Sequence, residues 1–209
     1  MKLTYVHINK TAGSSFHVYA KENNIKLYNC KRGDHEVYNK DEEFSKTVEN
    51  DVMYITTVRS PYTRVLSNWF QWIKLNYLNE ETAVDFNNYV DNLKVCFENN
   101  TTVPLLNERA SLWYGKENMA GLRFIQPCTY WIKDLLGSSN FKWFRFENLK
   151  EYDGFFKRNG VKIIKKHEDI IFEETVTMGS ETRWDLLTKE NMEIIDNLYR
   201  DDFINFYSC

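Results

Sequence analysis

Two short segments hold residues whose types and spacing suit binding of a multiply charged anion. The first, His7-Ile8-Asn9-Lys10-Thr11-Ala12-Gly13-Ser14-Ser15, offers consecutive backbone N–H groups and a glycine that permits close approach. It adds hydroxyls on Thr11, Ser14 and Ser15 and one mobile positive charge on Lys10. It is not a Walker A loop, because Lys10 precedes the glycine instead of following it. Taken alone, the segment reads equally well as a capped strand-to-helix turn. The second, Arg59-Ser60-Pro61-Tyr62-Thr63-Arg64-Val65-Leu66-Ser67, puts a guanidinium at a strand end and a hydroxyl about two helical turns beyond Ser60, so both can address one phosphate.

Strand-loop-helix units must position these groups. Leu3–Ile8 alternates and is rich in β-formers, and a helix is expected from about Ser14 to Glu22. Val52–Val58 reads as a buried strand, with Ser60 as N-cap and Pro61 as first residue of a helix to about Leu75. Ala83–Phe97 and Leu105–Trp113 read as helices of an acceptor-side lid over about residues 80–120. Further on, Phe141–Phe146 reads as a strand, Glu147–Arg158 as a helix and Val161–Ile164 as a short strand. A final helix capped by Thr188 is expected to run to Phe206. Alternating strands and helices imply an α/β fold: one domain over residues 1–209, with a P-loop-like central parallel sheet flanked by helices and a helical insertion.

Composition narrows the ligand classes. The chain has 209 residues, 43% hydrophobic and 27% charged, the balance of a soluble globular domain. A formal charge of −3 argues against nucleic acid as partner, so any anion site is local. Lys31-Arg32 and Lys165-Lys166 read as solvated surface. Aromatic residues make up 16%, which serves packing first and also suits a sugar-binding surface. Cys30, Cys96, Cys128 and Cys209 are widely spaced, without a CxxC pair or histidines at ligand spacing, which reads as reduced cysteines and no metal. The chain enters an apolar alternating segment at once, and no run approaches the length of a membrane span, so a cytoplasmic protein is expected. Abundant Asn, Lys, Ile and Tyr point to an AT-rich genome, bacterial or viral.

At this level the two segments resemble the loops of the carbohydrate sulfotransferases that use PAPS (3′-phosphoadenosine 5′-phosphosulfate), particularly the heparan sulfate 2-O and 6-O group. His7–Ser15 is similar to that family's 5′-phosphosulfate loop, approximately His-Ile-Pro-Lys-Thr-Gly-Gly-Thr-Ser, with Asn9 and Ala12 departing from it. Val58–Ser67 is similar to its 3′-phosphate loop, approximately Val-Arg-Asp-Pro-x-x-Arg-x-x-Ser, with Ser60 in place of the acid. Arg145-Phe146-Glu147-Asn148-Leu149 and Leu198-Tyr199-Arg200-Asp201-Asp202-Phe203 resemble later family segments in the same order.

The resemblance implies transfer of a sulfuryl group from PAPS to a hydroxyl of a glycan-type acceptor by in-line displacement, without a metal. Lys10 would stabilise charge on the leaving oxygen, and Thr11, Ala12, Gly13, Ser14 and Ser15 would hold the phosphosulfate. Arg59 and Ser67 would hold the 3′-phosphate, with Arg183 closing from a late loop. A sugar hydroxyl needs a base, and His35, in the Gly33-Asp34-His35 turn, is the expected one, with Glu36 and Glu147 in reserve. His7, His17 and His167 are expected to be structural or surface residues. Two other readings share the anion-binding architecture: a P-loop nucleotide kinase, and a PAPS- or glycan-binding module without catalysis. A structural α/β protein would make the two loops a coincidence.

Overall fold

The computed structural model describes residues 2–28, 35–42, 45–110, 119–169 and 183–208. Lys31-Arg32, Gly33-Asp34, Cys30, Cys209, residues 111–113 of the second lid helix and Gly179–Thr182 lie outside them. The protein is a mixed α/β chain, and it divides into two compact units. The first comprises Met1–Arg59 with Cys128–Thr177, the second Ser60–Pro127 with Met178–Cys209.

The first unit is built on a parallel sheet of three strands, in the order β1-β2-β3. β1 is Lys2–Val6, β2 is Val52–Val58 and β3 is Phe141–Arg145. Val6 pairs with Thr56 and Val58 with Arg145, so all three strands deliver their carboxyl ends to one edge. Helix α1 (Gly13–Glu22) and helix α6 (Glu151–Arg158) cover one face. Their Phe16, Tyr19, Tyr152, Phe155 and Phe156 join Leu3, Tyr5, Ile55 and Phe144 in one core. Removing one such buried aromatic side chain costs about 3–5 kcal/mol. Polar atoms in this layer are also matched, since Tyr5 donates to Thr57 Oγ1 at 3.0 Å and Thr57 bonds Tyr152 in turn. On the other face, the ring of Tyr38 meets Tyr54 edge-on, and Tyr38 N–H donates to Trp131 of helix α5 (Cys128–Ile132).

The expected strand over Val161–Ile164 does not form. Asn23 replaces a ladder partner: its Oδ1 accepts from Ile164 and Lys165 N–H at 2.7 and 2.9 Å, and its Nδ2 donates to the Lys165 carbonyl. The helix expected from Glu147 begins at Glu151 instead, after a 3-10 turn at Phe146–Asn148.

The second unit is helical. Helix α2 (Pro61–Leu75) starts with proline in its first turn as expected, but Ser60 makes no side-chain capping bond to it. Helix α3 (Phe86–Asn99) begins later than Ala83 because Asp85 caps it, accepting from Asn87 and Asn88 N–H. Leu105 and Leu106 are not helical: Leu106 bridges Leu78, and helix resumes only at 108–110 before α4 (Met119–Ile125). Helix α7 (Lys189–Leu198) is capped by Thr188 as expected. It does not run unbroken to Phe206. Tyr199 is buried and donates its hydroxyl to the Ile125 carbonyl at 2.6 Å, and the chain turns there before a short helix and a π turn at Phe203–Tyr207. Val65, Leu66, Trp69 and Trp72 of α2 pack with Phe86, Tyr89 and Leu93 of α3 and Ile195 of α7 in this unit's core. Among the described residues, no helix is long and apolar enough to cross a membrane.

Candidate functional site

The edge where the three strands of the first unit end gathers most of the expected site residues. From β1 the chain enters residues 7–12, in which Lys10 and Ala12 both adopt positive φ, 61° and 71°. A left-handed Ala12 followed by helical Gly13 turns successive N–H groups into one concavity, a backbone nest suited to an anion. Ala12 is the N-cap of α1 and has no side-chain acceptor, and the first turn carries no acidic residue. The N-cap residue itself therefore supplies no side-chain acceptor to the helix head. The N–H groups of Gly13, Ser14 and Ser15 precede the first i to i−4 bond, which runs from Phe16 N–H to the Ala12 carbonyl at 2.9 Å.

Side chains divide into bracing and presenting groups. Thr11 is fully buried and spends its hydroxyl proton inside the loop, on the Ile8 carbonyl at 2.9 Å. It holds the turn, so only its backbone faces the anion role. Lys10 and Ser14 are half-buried and Ser15 is buried. Gly13 is obligatory for a steric reason: a Cβ there would lie 2.0 Å from His7 Cδ2 and 2.1 Å from Nε2.

Arg59 follows β2 at the neighbouring strand end. It is 6% exposed, and its guanidinium lies over the ring of Phe146, 4.3 Å from the centroid. Such stacking fixes the plane of the guanidinium at the strand edge. Arg145 ends β3 on the same edge, half-buried. Phe146 was missed as a site residue, although its signal was present: it directly follows the residue in register with Val58.

His35 is also brought to the loop. Its Nδ1 lies 3.0 Å from the His7 carbonyl, and the two rings stand 4.5 Å apart. His17, on α1, lies 5.9 Å from His7, and Trp131 lies 5.9 Å from His35. Glu36 is engaged elsewhere, accepting from the Tyr38 hydroxyl at 3.0 Å and pairing with Lys46 at 3.6 Å. Glu147 is exposed beyond Phe146. His167 lies by α6, where burial lowers its pKa below the ordinary 6.5 against the opposing pull of Asp153.

Ser67 and Arg183 belong to the second unit. Ser67 is 3% exposed, within the buried run Arg64–Trp69 of α2. Arg183 is exposed and forks onto the Asp185 carboxylate, with Nε and Nη2 each 3.0 Å from an oxygen. Buried Cys96 has its thiol pushed up to about 12 by desolvation, and Cys128 is likewise buried and in no disulfide. No group of three His, Cys, Asp or Glu among the described residues could hold a metal ion. Compared with known proteins, the chain matches no family model, no curated protein and no solved structure, so its function has to be argued from the groups assembled at this strand edge.

Proposed function

We propose that this chain is a PAPS-dependent sulfotransferase, with a P-loop-like sheet edge in its first unit as the donor site. The observation that carries the reading is the head of α1: a nest at Ala12-Gly13, whose N-cap residue supplies no side-chain acceptor, beside Lys10. An anionic phosphosulfate fits such a cradle, and Arg59 on its Phe146 platform supplies a second anion contact one strand away.

In the reaction, the sulfur–oxygen bond to the phosphate breaks as a bond forms from sulfur to the acceptor hydroxyl oxygen. The acceptor proton passes to His35, and adenosine 3′,5′-bisphosphate leaves with the bonding electrons. Lys10 and the α1 N–H groups offset the charge that grows on the leaving phosphate oxygen. The glycan class of acceptor follows from the resemblance, as does the role of His35 as base.

Thermal shift tests this. PAPS and adenosine 3′,5′-bisphosphate, at about 100 times their dissociation constants, should each stabilise the protein by about 2.7 kcal/mol, with ATP weaker. Lys10→Ala should keep the fold yet lose on the order of 10²- to 10³-fold in transfer rate. Equal stabilisation by ATP would favour a kinase and sink the sulfonate donor. Binding of PAPS with no transfer to any hydroxyl acceptor would favour a non-catalytic module.

A further inference from the structure

We infer that His7 is a positioning residue that fixes both the tautomer of His35 and the seat of α1 behind the anion loop; this rests on the proposed reading of His35 as base. The residue touches two elements through two different groups. Through its backbone carbonyl it meets His35 Nδ1 at 3.0 Å. A carbonyl can only accept, so Nδ1 carries the proton and the neutral ring holds its lone pair on Nε2. Through its imidazole, only 8% of the residue being exposed, it fills the volume that a side chain on Gly13 would need. That contact sets how closely the first residue of α1 approaches the end of β1. The same ring lies 4.5 Å from that of His35, tilted by 42°, and limits its rotation.

The consequence is a rigid link between proton acceptor and anion cradle. His7 is the first residue after Val6, so it inherits its position from the β1–β2 ladder. An acceptor base on a surface loop would otherwise wander relative to the loop that holds the donor. Here both are referred to one residue anchored in the sheet.

Nuclear magnetic resonance of the full chain with 15N-labelled histidine reads this directly. The His35 ring, assigned by signal loss in His35→Gln, should show a protonated pyrrole-type Nδ1 and a pyridine-type Nε2 at neutral pH. His7→Ala, which keeps the carbonyl but removes the ring, should retain the Nδ1-protonated tautomer while the His35 ring signals shift as their ring contact is lost. Gly13→Ala should lower the melting temperature on the order of 5 °C in the wild type, and far less in the His7→Ala background where the space is vacant. A wild-type His35 protonated on Nε2 overturns the inference, and so does an equal penalty for Gly13→Ala in both backgrounds. These readouts need no nucleotide. Failure of PAPS to stabilise a protein with the expected His35 tautomer would therefore count against the sulfotransferase reading alone.

Discussion

Ala12 holds a backbone conformation that its residue type disfavours. Its φ of 71° is a conformation that an L side chain adopts at a cost of roughly 1–2 kcal/mol. Ala12→Gly should relieve that strain, partly offset by the greater freedom of glycine in the unfolded chain. A net gain of about 0.5 to 1 kcal/mol is expected from denaturant titration. A loss of stability would show that the alanine methyl packs usefully and that the loop is not strained. That Lys10 and Arg59 stand just beyond strands that run into helices was legible from residue order alone. The work of Thr11 was not, since nothing in the sequence says whether a hydroxyl turns inward to Ile8 or outward to a ligand.

Elements follow the same pattern: local signals were read well, and tertiary ones were not. β2 with α2, and β1 with α1, fall where periodicity and the Pro61 start put them. The Val161–Ile164 segment has strand composition, yet Asn23 at a helix end takes the N–H groups of Ile164 and Lys165, which no window of neighbouring residues can reveal. In the second unit, Arg64 has a comparable non-local role. It is 2% exposed on α2, donates to the Gln126 carbonyl at 2.7 Å, and lies 6.0 Å from the Tyr199 ring centre. It ties α2 to the end of α4 beside the residue that interrupts the last helix. Arg64→Met keeps the aliphatic bulk and removes the charged donor, so unfolding free energy should fall by about 2–3 kcal/mol, with Lys recovering part of it. A methionine variant within about 0.5 kcal/mol of the wild type would show that the bond is dispensable.

At the scale of the whole molecule, proton linkage offers a test. Burial lowers the His167 pKa below 6.5, so between that lowered value and 6.5 the unfolded chain binds more protons than the folded one. The contribution is fully present above 6.5 and is lost as pH falls through the window. Urea midpoints should therefore rise from about pH 5.5 to about pH 7.5, and His167→Gln should flatten that rise. A steeper slope in the variant would reverse the sign assigned to burial. The division into units was the least legible feature, because each is assembled from two stretches of chain and no linker composition marks the boundary at Arg59.

That interleaving has a consequence for synthesis. β2 emerges from the ribosome beside β1, but its other ladder partner, β3, lies beyond the whole first stretch of the second unit. Asn23 waits still longer, for residues separated from it by up to 142 positions, on the order of ten seconds at ordinary translation rates. During that interval the unpaired edge of a seven-residue strand is available to other chains. Yield from expression should thus depend on holding chaperones more than the final stability of the fold would suggest.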